Sequence, residues 1–171
     1  TFRSKKDVYK TVTDTSGYYH TYVPPGLYTV YAFNPETEDA YIETIELGLF
    51  ERIVLDIIVE KGYSLSGEVY FNNNQHQATT LEFTSIRGVI NLTTTDDGHY
   101  SIWLPENSYN ITGTLTDHDE ANEIDIDYTL EVYIDLTADT RRSLAMDKVE
   151  VFDLFLESKP LFTGAISPVR V

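Results

Sequence analysis

The feature that most constrains this chain is a pattern that occurs twice, 81 residues apart. It covers residues 13–31 and 94–112, and in both copies a glycine is followed by alternating polar and apolar residues that lead to a proline and a tyrosine. Self-similarity at a fixed spacing is typical of chains built from repeated structural units. We therefore predict an array of β modules. The aligned pairs are Gly17 and Gly98, Pro24 and Pro105, and Tyr28 and Tyr109.

A shorter echo has a spacing of 97 residues. Residues 55–60, followed by Gly67, return as residues 152–157, followed by Gly164. At this spacing residues 161–169 match residues 63–71, the opening strand of the second copy. The segment 161–169 is therefore predicted to be the opening strand of a further copy.

The two spacings predict the domain organisation. Projection by 81 residues sets Thr1 opposite Glu82, well inside the second copy, so the first copy is predicted to lack its opening strand. We expect residues 1–60 to form a β-sandwich module without its first strand and residues 61–157 to form a complete β-sandwich module. Residues 158–171 then supply the first strand of the next repeat, as in a piece cut from a longer protein.

Period-2 alternation dominates the chain, and helical periodicity is nearly absent. Pro24-Pro25-Gly26 predicts a hairpin turn between two strands, residues 95–98 predict a tight turn, and residues 116–123 predict a polar loop. Residues 139–147 are ambiguous, and a helical turn is one interpretation. The fold class is predicted to be all-β, with tandem antiparallel β-sandwich modules. Strands are predicted at 18–23, 27–33, 40–47, 50–60, 63–71, 80–85, 89–95, 99–104, 109–115, 124–134, 149–156 and 161–169.

The sequence pattern Asp-x-x-Gly-Tyr-x-x-x-x-Val-Pro-Pro-Gly-x-Tyr-x-Val-x-Ala at positions 14–32 resembles the transthyretin-like, carboxypeptidase-regulatory-like β-sandwich repeats. Residues 66–69, Ser-Gly-Glu-Val, resemble the first-strand signature of that family. The resemblance implies a sandwich of seven or eight strands that occurs in tandem in extracellular and cell-surface proteins. There it acts as a spacer, stalk or adhesion unit. The second copy departs from the pattern, with Pro105-Glu106-Asn107 in place of Pro-Pro-Gly and Gly113 in place of Ala32.

Composition narrows the classes of partner. The net charge is −16 with only 12 Lys and Arg, whereas a nucleic-acid partner requires clustered positive charge. No apolar run reaches the length of about 18 residues that crosses a bilayer, so no membrane insertion is expected in this fragment. The chain has no cysteine, which excludes disulfides and thiolate metal sites. An extracellular or cell-surface location follows only from the family resemblance.

Residue patterns typical of catalysis are not found, and we predict a protein that is not an enzyme. The four histidines show no metal-ligand spacing, and no nucleophile, phosphate-loop or dinucleotide motif is present. Acidic residues around position 120 could offer oxygen ligands to Ca²⁺, although the glycine and spacing of an EF-hand loop are missing. Calcium is thus the one cofactor considered, against the alternative of a solvated loop. The candidate ligands are Asp117, Asp119, Glu120 and Glu123.

Two further sets of surface residues are candidates for function. Asn91 and Asn110 each begin an Asn-x-Thr sequence and are candidate glycosylation sites, with Asn110 expected to be exposed. The chain has 13 Tyr against 1 Trp, and Tyr18, Tyr22 and Tyr100 are candidate residues for stacking on a sugar or anchoring a protein. Tyrosine is also a favoured strand residue, so a structural role is the alternative.

The leading hypothesis is a non-enzymatic structural spacer, stalk or adhesion module whose partners are neighbouring repeats of the same protein. The alternative is a module that binds a glycan or a protein through exposed tyrosines. The missing opening strand of the first module predicts a sheet edge with unpaired backbone groups, and such edges recruit other strands. Self-association through residues 161–169 is therefore predicted.

Overall fold

The computed structural model describes residues 1–72, 74–120 and 122–150, and within these ranges the chain forms strands, turns and loops without any helix. This confirms the prediction of an all-β chain. The strands are β1 Phe2–Arg3, β2 Val8–Tyr9, β3 Gly26–Asn34, β4 Asp39–Leu47, β5 Glu60–Tyr70, β6 Thr80–Ser85, β7 Gly88–Thr93, β8 His99–Pro105, β9 Asn107–Asp119, β10 Ile124–Leu136, β11 Thr140–Arg141, β12 Leu144–Ala145 and β13 Asp147–Lys148.

The strands form two sheets. One has the order β11-β5-β4-β3-β1-β2, and β8 and β12 also pair with β5. The other has the order β13-β10-β9-β6-β7. All pairings are antiparallel except those of β11 and β12 with β5, which are parallel. Two mostly antiparallel sheets with buried inner faces are the arrangement of a β-sandwich.

Apolar side chains from the two sheets meet in a large core and a small one. The large core gathers residues from β4 to β12, including Leu65, Phe83, Leu104 and Leu136, which are almost completely buried. The small core contains only three fully buried residues, Phe2, Tyr28 and Val30. The region formed by residues 1–59 is therefore covered on one side by residues that stay partly exposed. These are Tyr9, Tyr19, Val23, Tyr41, Ile45, Leu47, Leu55 and Ile57.

Strand pairing follows the same 81-residue spacing as the sequence pattern. Phe2 pairs with Val30 in β3, and Phe83 pairs with Ile111 in β9. The pairing of β1 with β2 matches that of β6 with β7 in the same way. The correspondence thus extends to strands β1 and β2, whose residues lie outside the segments in which the pattern was first seen.

Two tyrosine hydroxyls hold the start of the long strands. Tyr28 donates a hydrogen bond to the carbonyl oxygen of Pro24 at 2.7 Å, and Tyr109 donates to that of Pro105 at 2.9 Å. Burial raises the pKa of Tyr109, so its hydroxyl stays protonated and remains a donor. The aligned proline and tyrosine therefore form one local device that occurs twice.

The predicted hairpin around each proline is wrong. β8 pairs with β5 in one sheet, whereas β9 pairs with β6 and β10 in the other. The chain therefore crosses between sheets at Pro105, and the tyrosine bond secures that crossing. Alternation alone could not distinguish a hairpin from a crossing, because both need two strands and a tight turn.

Three other predictions about elements are corrected. No strand is formed at 18–23 or at 50–59, although both segments alternate in sequence. Residues 139–147 contain no helical turn but form the short strands β11, β12 and the start of β13. The polar loop predicted at 116–123 is shorter, because β9 extends to Asp119 and pairs with β10 as far as Ile124. The strand predicted at 161–169, and nearly all of that at 149–156, lie outside the described residues.

We predict that Tyr109→Phe lowers the free energy of unfolding by about 1–3 kcal/mol, because the buried carbonyl of Pro105 loses its hydrogen-bond donor. Urea unfolding monitored by tryptophan fluorescence measures the change. Tyr133→Phe is the matched control, since Tyr133 is 71% exposed and its bond to Glu131 lies at the surface. Equal midpoints for both variants would contradict the role of the Tyr109 bond.

Candidate functional site: an unpaired strand edge at residues 18–23

The environment of strand β5 defines what the corresponding place in residues 1–60 lacks. β5 lies between β8 on one side and the short strands β11 and β12 on the other. Across it, the hydroxyl of Tyr100 donates a hydrogen bond to the carbonyl oxygen of Arg142 at 2.6 Å. A Cβ atom on Gly67 of β5 would lie 2.0 Å from that carbonyl oxygen and 3.2 Å from the Tyr100 ring. Glycine is therefore required where the strand passes the tyrosine.

The same bond occurs in residues 1–60 without the strand. Tyr19, which aligns with Tyr100, donates from its hydroxyl to the carbonyl oxygen of Leu55 at 2.8 Å. Partial burial, and secondly the charge of Asp56, raises the pKa of Tyr19, so the hydroxyl stays a donor. Residues 18–23 and 53–58 thus correspond to β8 and to β11–β12. No strand of the described chain is paired to either segment.

The hydrogen bonds that follow Leu55 support this correspondence. Glu60 and Lys61 pair with β4 as Asp147 and Lys148 pair with β10. The next amide in each case bonds back to the strand before it, Gly62 to Glu38 at 3.1 Å and Val149 to Asp127 at 2.8 Å. These contacts match residues 55–61 with residues 142–148. The echo that aligned 55–60 with 152–157 therefore does not mark structurally equivalent residues.

The edge formed by residues 18–23 has free backbone groups. Within the described ranges, the amides of residues 19–23 donate no hydrogen bond to another backbone group. In β8, by contrast, the residues from His99 to Pro105 pair with β5. Backbone groups without partners in the protein bond to water at an exposed edge, and such an edge can accept another strand.

An aromatic strip lies on the outer side of this edge. The rings of Tyr18 and His20 are stacked at 6.4 Å, and those of His20 and Tyr22 are 6.2 Å apart, edge to face. Tyr18 is 67% and Tyr22 is 88% exposed, so both are accessible to a ligand. Tyr100 was proposed as a third ligand residue, and this is wrong. It is 4% exposed, its hydroxyl is bonded to Arg142, and burial raises its pKa to about 12.

The acidic residues near position 120 lie at the end of the β9–β10 hairpin. Asp117 and Asp119 belong to β9, whereas Glu120 and Glu123 lie in the turn. The nearest resolved ionic contact is between His118 and Asp125, 2.8 Å apart and exposed. In the ranges that the structure describes, no three His, Asp or Glu side chains are grouped closely enough to hold a metal ion.

The candidate glycosylation sites lie on the outer face of the second sheet. Asn91 is in β7 and Asn110 is in β9, and both are only partly exposed. The side-chain nitrogen of Asn110 donates to Glu131 at 3.2 Å. The expectation that Asn110 is freely exposed is therefore wrong, because both the neighbouring strand and this bond restrict access. A shallow groove of about 680 Å³ lies beside Asn91 and is lined mainly by threonines.

Comparison of the chain with family models, curated proteins and solved structures gives no match. The resemblance to transthyretin-like repeats therefore rests on the quoted residues alone. Among the described residues, no helix has the length and apolar character that would let it cross a membrane.

Sequence reasoning found part of this site. The alignment predicted a missing opening strand and an open sheet edge, and the exposure of Tyr18 and Tyr22 agrees with their selection. It missed the second wall at residues 53–58, which it interpreted as a buried strand. The apolar alternation of these residues gives no sign of whether a pairing strand is available.

Hydrogen exchange tests the edge directly. We predict that the amides of residues 19–23 exchange rapidly, whereas those of residues 100–104 in β8 are protected by pairing with β5. The two segments are matched by alignment, so each serves as the control for the other. Equal protection of both, measured by mass spectrometry at a protein concentration low enough to prevent self-association, would contradict an unpaired edge.

Proposed function

We propose that the chain is a non-enzymatic, tandem β-sandwich repeat of a cell-surface or secreted protein and acts as a structural spacer. Residues 1–60 form one module, and residues from 61 onwards form the next. Matching strand registers at a spacing of 81 residues support the tandem organisation. The extracellular location is supported by the resemblance to carboxypeptidase-regulatory-like repeats. The single observation that carries the spacer role is the packed junction between the two modules.

The junction contains buried aromatic contacts. The rings of Phe33 and Trp103 are stacked with centroids 5.8 Å apart and an interplanar angle of 20°. The hydroxyl of Tyr31 donates to the carbonyl oxygen of Trp103 at 2.8 Å, and burial raises the pKa of Tyr31 to about 12. Contacts of this kind hold two modules at a fixed angle, which a flexible linker does not.

The backbones approach closely at the same junction. β4 pairs with the first two residues of β5, so the sheet continues from one module into the next. A Cβ atom on Gly62 would lie 2.4 Å from the carbonyl oxygen of Glu38, and one on Gly88 would lie 2.9 Å from the side chains of Thr29 and Thr44. Ile42 of β4 is 1% exposed and packs in the large core. The two modules therefore share buried residues, and we expect them to unfold together.

A variant at Gly62 tests the spacer role. We predict that the parent chain unfolds in urea in one transition and that Gly62→Val separates it into two, because the added side chain forces Glu38 and β4 away from β5. Fluorescence of Trp103, the only tryptophan, and circular dichroism should then give different midpoints.

Gly48→Val is the matched control, because Gly48 is exposed and the nearest atom to its added Cβ belongs to the flexible side chain of Glu51. It should leave the single transition intact. Two transitions in the parent chain would mean that the modules move independently, and the rigid-spacer proposal would then be wrong.

A second function is favoured by the exposed aromatic strip. Tyr18, His20 and Tyr22 present adjacent rings to solvent, an arrangement that can stack on a sugar or anchor a protein. Under this alternative the module binds a glycan or a protein ligand.

A glycan array separates the two functions. If the strip binds a glycan, the parent chain gives a signal that is lost in Tyr18→Ala and in Tyr22→Ala. Tyr133→Ala is the matched control, since Tyr133 is exposed on the other sheet and should retain the signal. No binding by the parent chain rejects the glycan alternative and leaves the spacer proposal unaffected.

A further inference from the structure

We propose that the gap between residues 18–23 and residues 53–58 is a strand-acceptor slot that binds residues 161–169 of a second copy of this chain. The chain would then associate head to tail. This goes beyond a spacer role, since it gives the module a means of joining identical molecules. It uses the alignment of the two modules but does not require that they form a rigid rod.

The slot has the width of one strand. In the second module the Tyr100 hydroxyl reaches the Arg142 carbonyl, and β5 lies above that bond with pairing partners on both sides. In the first module the equivalent bond from Tyr19 to Leu55 has nearly the same length, 2.8 Å against 2.6 Å. The two walls are therefore already held at the spacing that an inserted strand needs.

Both walls offer backbone groups and apolar side chains. An inserted strand would run antiparallel to residues 18–23, as β5 does to β8, and parallel to residues 53–58, as β5 does to β11 and β12. Beneath it lie the partly buried side chains of Tyr19, Val23, Leu55 and Ile57, which pack on the small core. Covering them would complete the sandwich, and addition of a strand at an open edge is a known mode of recognition.

The slot selects for glycine at one position. The strand must pass Tyr19 as β5 passes Tyr100, where any Cβ atom at Gly67 would clash with the tyrosine-bonded carbonyl group. In β5 this glycine is flanked two residues away by buried Leu65 and Val69. Residues 161–169 carry the same order of side chains, with Phe162, Gly164 and Ile166.

The register of insertion follows from that of β5 with β8, where Gly67 lies opposite Tyr100 and Ser66 opposite Ser101. Gly164 would lie opposite Tyr19, and Thr163 opposite His20. His20 is exposed, so the latter pair would be on the outer face, where chemical cross-linking can reach it.

A second copy is favoured over the same chain by the direction in which the chain leaves each module. The bond from Val149 to Asp127 repeats the bond from Gly62 to Glu38, which leads the chain out of the first module into the second. Residues after Val149 are thereby directed onward, away from the slot in residues 1–60. A donor at one end and an acceptor at the other generate a heterologous, head-to-tail contact.

Cysteine pairing tests the contact, because the chain has no cysteine of its own. His20→Cys chains are mixed with Thr163→Cys chains of different mass under mild oxidation. We expect disulfide-linked heterodimers well above the fraction that random pairing gives, since residues directly opposite in an antiparallel pair are close enough for a disulfide. The control mixture of Tyr133→Cys with Thr163→Cys should give only random pairing.

Sedimentation of full-length variants supplies an independent measurement. Gly164→Val should weaken self-association about tenfold or more, because its side chain meets the Tyr19 contact. Ala165→Val, on the outer face of the same segment, should associate like the parent. Circular dichroism checks that both variants keep the fold.

Three results would overturn the proposal: a parent chain that is monomeric at all concentrations, random pairing in the test mixture, or equal association of Gly164→Val and the parent. A disulfide formed within one chain by the double variant His20→Cys/Thr163→Cys would replace the second copy with the chain's own segment. None of these results depends on the unfolding experiment that tests the spacer role.

Discussion

Backbone pairing along strand β5 is the interaction on which the rest of the architecture depends. Its first two residues pair with β4, and its remaining length lies between β8 and the short strands β11 and β12. It thereby joins the two halves of its sheet and forms one wall of the large core. The absence of a side chain at Gly67 lets the Tyr100 hydroxyl bond to Arg142 beneath the strand. This central strand therefore holds together what a sandwich of short strands could not hold by side-chain packing alone.

Residues 1–60 show what happens when such a strand is not present among the described residues. Residues 18–23 and 53–58 alternate as strands do, yet neither forms one. Their side chains reach the small core, and Tyr19 still bonds to Leu55. Strand structure needs hydrogen-bonding partners for its backbone, and side-chain burial cannot replace them. The same absence that prevents strand formation creates the proposed slot.

The junction explains how such a region could remain ordered. Phe33 stacks on Trp103, and Tyr31 bonds to the Trp103 carbonyl, so residues 1–60 are supported by the larger core beside them. Close approach at Gly62 extends the sheet across the boundary. A module with only three fully buried apolar residues depends on this support, because burial of apolar surface is the main stabilising term in folding. Spacer function and structural order thus rest on the same contacts.

The sequence by itself determined the all-β class, the 81-residue correspondence and the accessible pair Tyr18 and Tyr22, because alternation and local turn residues are properties of neighbouring positions. Only the tertiary structure decided that Pro105 marks a crossing between sheets and that Tyr100 is buried. It also decided that residues 53–58 stand beside a gap. Each of these outcomes depends on which distant strand supplies the hydrogen bonds, and a one-dimensional pattern of polar and apolar residues contains no information about that choice.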